Sequence, residues 1–172
     1  VSAVSGTGDD RRLADIQVIV FDVDGVLTDG KVLIDGQGNE WLRFDIQDGL
    51  GMVRGRSFGL RYAIITGRNS PAVRVRARQL DILHIQQGQT DKTAAIERVM
   101  EDLDVDASAV AYMGDDVNDL PPMARVGFVC TPADACPEVR DAADLVTGAK
   151  GGDGAVREFI ERIIAAKGGL GN

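Results

Sequence analysis

Short apolar runs and longer amphipathic stretches alternate along this chain. Ile16-Gln17-Val18-Ile19-Val20-Phe21 is mostly β-branched and aromatic, and reads as a buried strand. Lys31 to Ile34 and Glu40 to Phe44 flank the Gly-rich turn Asp35-Gly36-Gln37-Gly38, the pattern of a β-hairpin. Asp48 opens a helical stretch that Gly59 ends, and Arg61 to Ile65 is a second buried strand. Pro71, at a favoured first-turn position, starts a helix to Leu80 that precedes a short strand near Leu83. Asp91 or Thr90 caps the helix running through Met100 and Leu103. Ala109 to Met113 is the next strand; a short helix over Asp119 to Ala124 and strands at Val126 to Val129 and Asp144 to Val146 follow. Val156, Phe159, Ile160, Ile163 and Ile164 fall on one stripe of a closing helix. Strands separated by helices predict an α/β fold with a mostly parallel sheet and right-handed crossovers. With no repeat or linker, one domain is expected over 16–168, after a flexible N-terminal tail over 1–15.

Composition narrows the function classes. The chain has 172 residues, enough for a full core, and a net charge of −8, which argues against general binding to nucleic acid or an anionic membrane. No apolar stretch approaches a membrane span, and residues 1–12 lack the apolar core of a signal peptide. Cys130 and Cys136 fit no metal or redox spacing; beside Pro132 and Pro137 they read as reduced loop thiols, which points to the cytoplasm. His84, the single histidine, sits in a short strand-like run where a structural role is expected.

The chemistry sits where strands end. Asp22 and Asp24 follow the first strand in Asp22-Val23-Asp24-Gly25. Two like charges this close need a cation or a protonation difference, so the pair is either a metal-assisted nucleophile with a neighbouring acid or an acidic turn capping a strand. Thr66 ends the second strand, Asp115 and Asp116 end the third, and Lys92 stands at a helix start between them. If these strands are neighbours, all these groups converge on one edge of the sheet. Such a set suits a phosphoryl group bound through Mg²⁺, which prefers oxygen ligands and keeps several waters. Lysine and threonine can stabilise the transferring oxygens. One carboxylate can attack phosphorus to form an aspartyl phosphate, and its neighbour can move the proton.

The ordered set DxDG, TGR, Lys and GDDxxD resembles the haloacid-dehalogenase superfamily of phosphatases, from Val18 to about Glu158. The resemblance implies a Rossmann-like fold with Asp22 as nucleophile and Asp24 as general acid/base, its backbone carbonyl also meeting the metal. It further implies Thr66 and Lys92 on the phosphoryl group, Asp115 as a metal ligand, and Asp116 and Asp119 as supports behind it. Only the hairpin and one helix lie between Asp24 and Thr66, so no cap domain is expected.

GVLTDGKV, FDIQDGLG, IITGRNS, GQTDK, AYMGDDVNDLP and GGDGAVREF are similar to the 3-deoxy-D-manno-octulosonate 8-phosphate phosphatases. That family implies a homotetramer in which hairpins around Lys31 to Phe44 meet at the centre and neighbours supply the lid. The Gly-rich segment, here Gly151 to Gly154, would reach an adjacent site. The same resemblance implies that Asp45, Ile46, Gln47, Asp48, Gly49, Gly67, Arg68, Arg76 and Lys92 contact the substrate; arginine forks suit a sugar-acid carboxylate. Gln47 and Val53 stand where the family has arginines, and Cys136 where it tends to have histidine. The reading is a Mg²⁺-dependent phosphatase of a small acidic sugar phosphate, serving surface-polysaccharide synthesis. The alternatives are a nine-carbon acid (sialic acid or its deaminated analogue), a catalytically silent assembly module, or a phosphatase of a nucleic-acid end or phosphoprotein.

Overall fold

Strands that are apolar without alternation need cover on both faces. The computed structural model, which describes residues 8–168, supplies it with helices on either side of one sheet. In chain order the elements are α1 (Gly8–Asp15), β1 (Val18–Phe21), a hairpin of β2 (Leu33–Ile34) and β3 (Glu40–Trp41), α2 (Ile46–Arg56) and β4 (Arg61–Ile65). Then come α3 (Pro71–Gln79), β5 (His84–Gln86), α4 (Lys92–Leu103), β6 (Val110–Met113), α5 (Leu120–Met123), β7 (Phe128–Thr131), α6 (Pro137–Ala142), β8 (Leu145–Val146) and α7 (Ala155–Ala166). Six parallel strands lie in the order β5-β4-β1-β6-β7-β8. Strand order reverses between β1 and β6, and ligands of open α/β sheets bind outside the carboxyl ends at such a reversal. Only the hairpin and its connections separate β1 from α2, so the expected absence of a cap domain holds for this insert.

Side chains alternate between the two faces. Ile19 and Phe21 join the core under α1, α2 and α7, while Val18 and Val20 join the core under α4. The expected stripe on α7 is fully buried, with Phe159 stacked 6.0 Å from Phe128.

Three expectations are corrected. The flexible tail over 1–15 is a helix from Gly8 onward. Leu13 is buried in the core, Arg12 bonds Asp144 at 2.8 and 3.0 Å, and Lys167 holds the Ala14 carbonyl at 2.7 Å. The part of that expectation covering residues 1–7 lies outside the described residues. Helix α2 begins two residues before Asp48, because Asp45 caps it by accepting from the Gln47 N–H. Strand β7 runs two residues later than Val126 to Val129, so Cys130 is a buried strand residue and not a loop thiol.

Gly151 and Gly152 pack on the turn after β1 of their own subunit. The Gly152 N–H donates to the Val26 carbonyl in that turn at 2.9 Å, and the Gly151 N–H donates to Asp134, in the loop after β7, at 3.0 Å. A Cβ on Gly151 would collide with the Gly25 carbonyl oxygen. Gly151→Ala should therefore cost about 1–3 kcal/mol by overpacking, read by urea unfolding. Gly36→Ala at the hairpin tip, where an added Cβ meets nothing within 4 Å, should change stability by less than about 0.5 kcal/mol.

Candidate active site

Asp22 is the first residue past β1, and its N–H donates to the Met113 carbonyl of β6 at 2.9 Å, so the two strand ends are tied together. The chain then turns tightly: the N–H groups of Val26, Leu27 and Thr28 all point to the Val23 carbonyl, at 3.2, 2.9 and 3.0 Å. Gly25 adopts φ +85°, and a Cβ there would overlap the Asp115 carboxylate. The glycine thus serves Asp115 as much as the turn. From β6, Gly114 passes so close to Asp119 that a side chain would collide with its carboxyl group.

Lys92 is the first residue of α4, whose N-terminus Asp91 caps through the Thr93 and Ala94 N–H groups at 3.0 and 3.2 Å. Its ammonium is buried, 3.0 Å from Asp22 Oδ2 and 2.7 Å from Asp119 Oδ1. Asp119 is fully buried and filled with donors: Oδ1 also accepts from the Tyr112 hydroxyl at 2.8 Å, and Oδ2 from the Asp115 and Asp116 N–H groups at 3.1 and 3.4 Å. Four donors occupy the lone pairs of one carboxylate. Asp119 therefore anchors Lys92 and the Asp115–Asp116 backbone. Asp116 caps the turn over Val117–Asp119. At the end of β4, Thr66 is buried, and its Oγ1 accepts from the Arg68 N–H at 3.3 Å. Arg68 reaches Asp24 Oδ1 at 3.2 Å and Glu40 Oε2 at 2.7 Å.

These groups line one cleft of about 260 Å³ that brings Asp22, Asp24, Thr66, Gly67, Arg68, Lys92, Asp115 and Asp116 together, with Gly30 and Asn118. Sequence reasoning missed four participants. Gly30 and Asn118 carried the faint signal of polar or glycine positions inside quoted motifs. Tyr112 is hidden in an apolar strand, and Glu40 had no signal. Two broader hollows, about 460 Å³ each, flank Asp104 to Ala107 on the approach to β6, away from these groups.

The remaining expected contacts stand outside this cleft. Asp45 caps α2, and its carbonyl accepts from Arg76 at 2.7 Å while the same guanidinium lies 5.8 Å from the Phe44 ring centre. Ile46 and Gln47 are exposed. Asp48 is buried and accepts the Arg157 N–H at 2.8 Å at the start of α7, with Oδ2 unpartnered. Burial pushes its carboxyl up to about 6, against the pull of that N–H. Gly49 packs under Arg76 and Leu80. The crevice these residues enclose is about 10 Å³, room for one water at most.

Carboxylate oxygens of Asp22, Asp115 and Asp119 lie within 4.8 Å of one another. Burial, then Asp119, pushes Asp22 up to about 7 against the pull of Lys92. Burial, then Asp22 and Asp119, does the same to Asp115, also to about 7. Burial pulls the Lys92 ammonium down, but Asp22 and Asp119 together outweigh it and raise it. Asp115 Oδ1 is buried without a partner. With Asp119 filled, Asp22 and Asp115 have acceptor capacity to spare beside one lysine. That donor set fits a hard divalent cation that keeps part of its water shell.

Residues 61–160 match the haloacid dehalogenase-like hydrolase family. The 3-deoxy-D-manno-octulosonate 8-phosphate phosphatase of Yersinia pestis is 41% identical over 157 residues, spanning 91% of this chain and 84% of that protein. The Escherichia coli K12 enzyme of the same name is 40% identical over 159 residues, spanning 92% and 85%. The crystal structure of the Yersinia pestis enzyme superposes with a TM-score of 0.91 at 41% identity, covering 94% of this chain and 89% of that one. The Moraxella catarrhalis phosphatase, solved with magnesium, phosphate and KDO, gives 0.90 at 39% identity, covering 92% and 91%. Sheet order, strand-end carboxylates and these likenesses agree: the chain belongs to the haloacid dehalogenase-like hydrolases, in the branch whose named relatives are the 3-deoxy-D-manno-octulosonate 8-phosphate phosphatases.

Proposed function

We propose that this chain is a Mg²⁺-dependent phosphatase that hydrolyses 3-deoxy-D-manno-octulosonate 8-phosphate to the free sugar acid and phosphate. The observation that carries the chemistry is the Lys92 ammonium, buried 3.0 Å from Asp22 at the carboxyl end of β1. The substrate rests on relatives about 40% identical along nearly the whole chain.

Asp22 attacks phosphorus, the ester P–O bond breaks, and Asp24 gives its proton to the leaving sugar oxygen. Asp24 then takes a proton from water, which displaces phosphate from Asp22. Lys92 and the Thr66 hydroxyl hold the transferring oxygens, and Lys92 keeps Asp22 in place. The Asp22 and Asp115 carboxylates and the Asp24 carbonyl would hold Mg²⁺, which when bound neutralises charge developing on the phosphoryl group. Arg68 is the cleft group suited to the substrate carboxylate. Ile46 and Gln47, exposed on α2, would meet a sugar acid only in a neighbour's cleft; Asp45 and Arg76 support the start of that helix, Gly49 packs against Arg76, and Asp48 ties the helix to α7.

We further infer a tetramer whose neighbours complete each site. Leu33, Ile34 and Trp41 on the hairpin are 71%, 67% and 61% exposed, and Ile46, Leu50 and Val53 form an exposed stripe along α2; such apolar exposure is typical of surfaces that associate. Residues 16–168 act as one phosphatase domain, to which α1 is an added brace. A cytoplasmic site is supported by two free cysteines, and no helix among the described residues is long and apolar enough to cross a membrane. A nine-carbon acid is the second reading, favoured by Gln47 and Val53 on the exposed face of α2.

Phosphate release from the octulosonate ester should fall by about 10⁴-fold or more in Asp22→Asn and by about 10²–10⁴-fold in Asp24→Asn, and stop in chelator. Full turnover without a divalent metal would sink the mechanism.

Stability should track protons at the metal site. The folded values near 7 of Asp22 and Asp115 lie above the ordinary 3.8, so the metal-free folded chain holds extra protons between those values and loses stability as pH rises through about 7. Mg²⁺ needs the deprotonated carboxylates. Its stabilisation in thermal melts should be largest above pH 7 and fade towards pH 5. A Mg²⁺ shift in Tm that stays constant with pH would count against Asp22 and Asp115 as its ligands.

A further inference from the structure

Arg68 is the guanidinium that lines the cleft, and both ends of its fork are occupied: Nη1 lies 3.2 Å from Asp24 and Nη2 2.7 Å from Glu40. Lys92, the other cation there, is buried between Asp22 and Asp119 and cannot turn to a second anionic group on a substrate. Arg68 can: its side chain is 36% exposed and that of Glu40 is 38%. Half-exposed ion pairs of this kind are weak, so another carboxylate can replace Glu40 on the fork at little cost.

Glu40 arrives from outside the sheet. It is the first residue of β3, paired with Ile34 across the hairpin, and Arg43 ties the hairpin to the turn after β1 through Asp29 at 3.0 Å. Five carboxylates (Asp22, Asp24, Asp115, Asp116 and Glu40) stand around two cations, Lys92 and Arg68. In that field an anionic ligand binds only where it finds a cation, and it leaves when a resident anion competes for the same one.

We propose that Glu40 is a positioning residue, the resting counter-ion of Arg68: the substrate carboxylate exchanges with Glu40 on the guanidinium, and Glu40 recovers Arg68 as the sugar acid departs. No bond is made or broken in the exchange; one carboxylate replaces another on the same N–H donors. A phosphate ester without a carboxylate leaves the Arg68–Glu40 pair standing. The inference rests on the sugar-acid phosphatase reading and extends it to product release.

The test uses the full chain with Mg²⁺ and an aryl phosphate as reporter substrate. Inhibition by 3-deoxy-D-manno-octulosonate, by N-acetylneuraminate and by inorganic phosphate is compared between wild type and Glu40→Gln. With the competitor's charge gone, the inhibition constants of the sugar acids should fall by about three- to tenfold, and by at least about threefold more than that of phosphate. Equal shifts for sugar acids and phosphate would mean a general field effect and overturn the exchange. So would unchanged or weaker sugar-acid inhibition, or its absence from both proteins. Wild-type turnover of the octulosonate ester is measured separately. If that fails while the aryl ester is cleaved, the substrate assignment falls, and the Glu40 exchange is still decided by the N-acetylneuraminate arm.

Discussion

A buried lysine held between two buried aspartates is the interaction on which the rest of the structure depends. Lys92 carries a charge that would be costly in the interior, and the carboxylates of Asp22 at 3.0 Å and Asp119 at 2.7 Å are what make it tolerable. Removing one partner from such a group costs about 3–5 kcal/mol, because it leaves a buried charge uncompensated. The three residues come from the end of β1, the start of α4 and the turn after β6. The triad can form only when β1 and β6 are adjacent and α4 has crossed back over the sheet. Core packing and active-site geometry are therefore settled together.

The triad also explains the division of roles among the acids. Asp119 spends all its acceptor capacity on Lys92, Tyr112 and two backbone N–H groups. Asp115 keeps one buried oxygen unpartnered, in a place where burial and neighbouring carboxylates already favour the proton. One lysine among three close carboxylates leaves surplus negative charge, the local condition that draws a divalent cation. Asp48, the other buried acid, serves the scaffold: it caps α7 through the Arg157 N–H and so fixes the segment in which Gly151 and Gly152 back the turn after β1.

The hairpin faces two ways. Leu42 and Phe44 pack against the core, whereas Leu33, Ile34 and Trp41 stand in the open. Glu40 lies between those roles, reaching the cleft through Arg68. A short insert that an isolated subunit covers poorly is thus linked, through Arg68, to Asp24, the residue proposed to move the proton. The hairpin is the element that would link the proposed assembly to the chemistry.

Much of the fold and of the cleft was legible in the chain. The strands at Val18, Arg61 and Val110, the helix stripe from Val156 to Ile164, and the convergence of Asp22, Thr66, Lys92 and Asp115 follow from local patterns: apolar runs, the 3.6-residue period, and polar residues where strands stop. Those patterns depend on neighbours in sequence. What escaped depends on neighbours in space. An eight-residue helix such as α1 is not stable alone; it exists because Leu13 finds the core and Arg12 finds Asp144. The late start of β7 reflects Gly127, pressed against Ser108 and bonded to the Ala107 carbonyl at 2.7 Å. Asp45, Asp48 and Arg76 carry polar groups that their sequence motif sends to a substrate, yet Asp45 caps α2, Arg76 holds the Asp45 carbonyl, and one Asp48 oxygen accepts the Arg157 N–H of α7. Residue type and spacing determined the chemistry available to this protein. Only tertiary structure decided which donors and acceptors were already satisfied, because hydrogen-bonding capacity is used up by contacts between segments far apart in the chain.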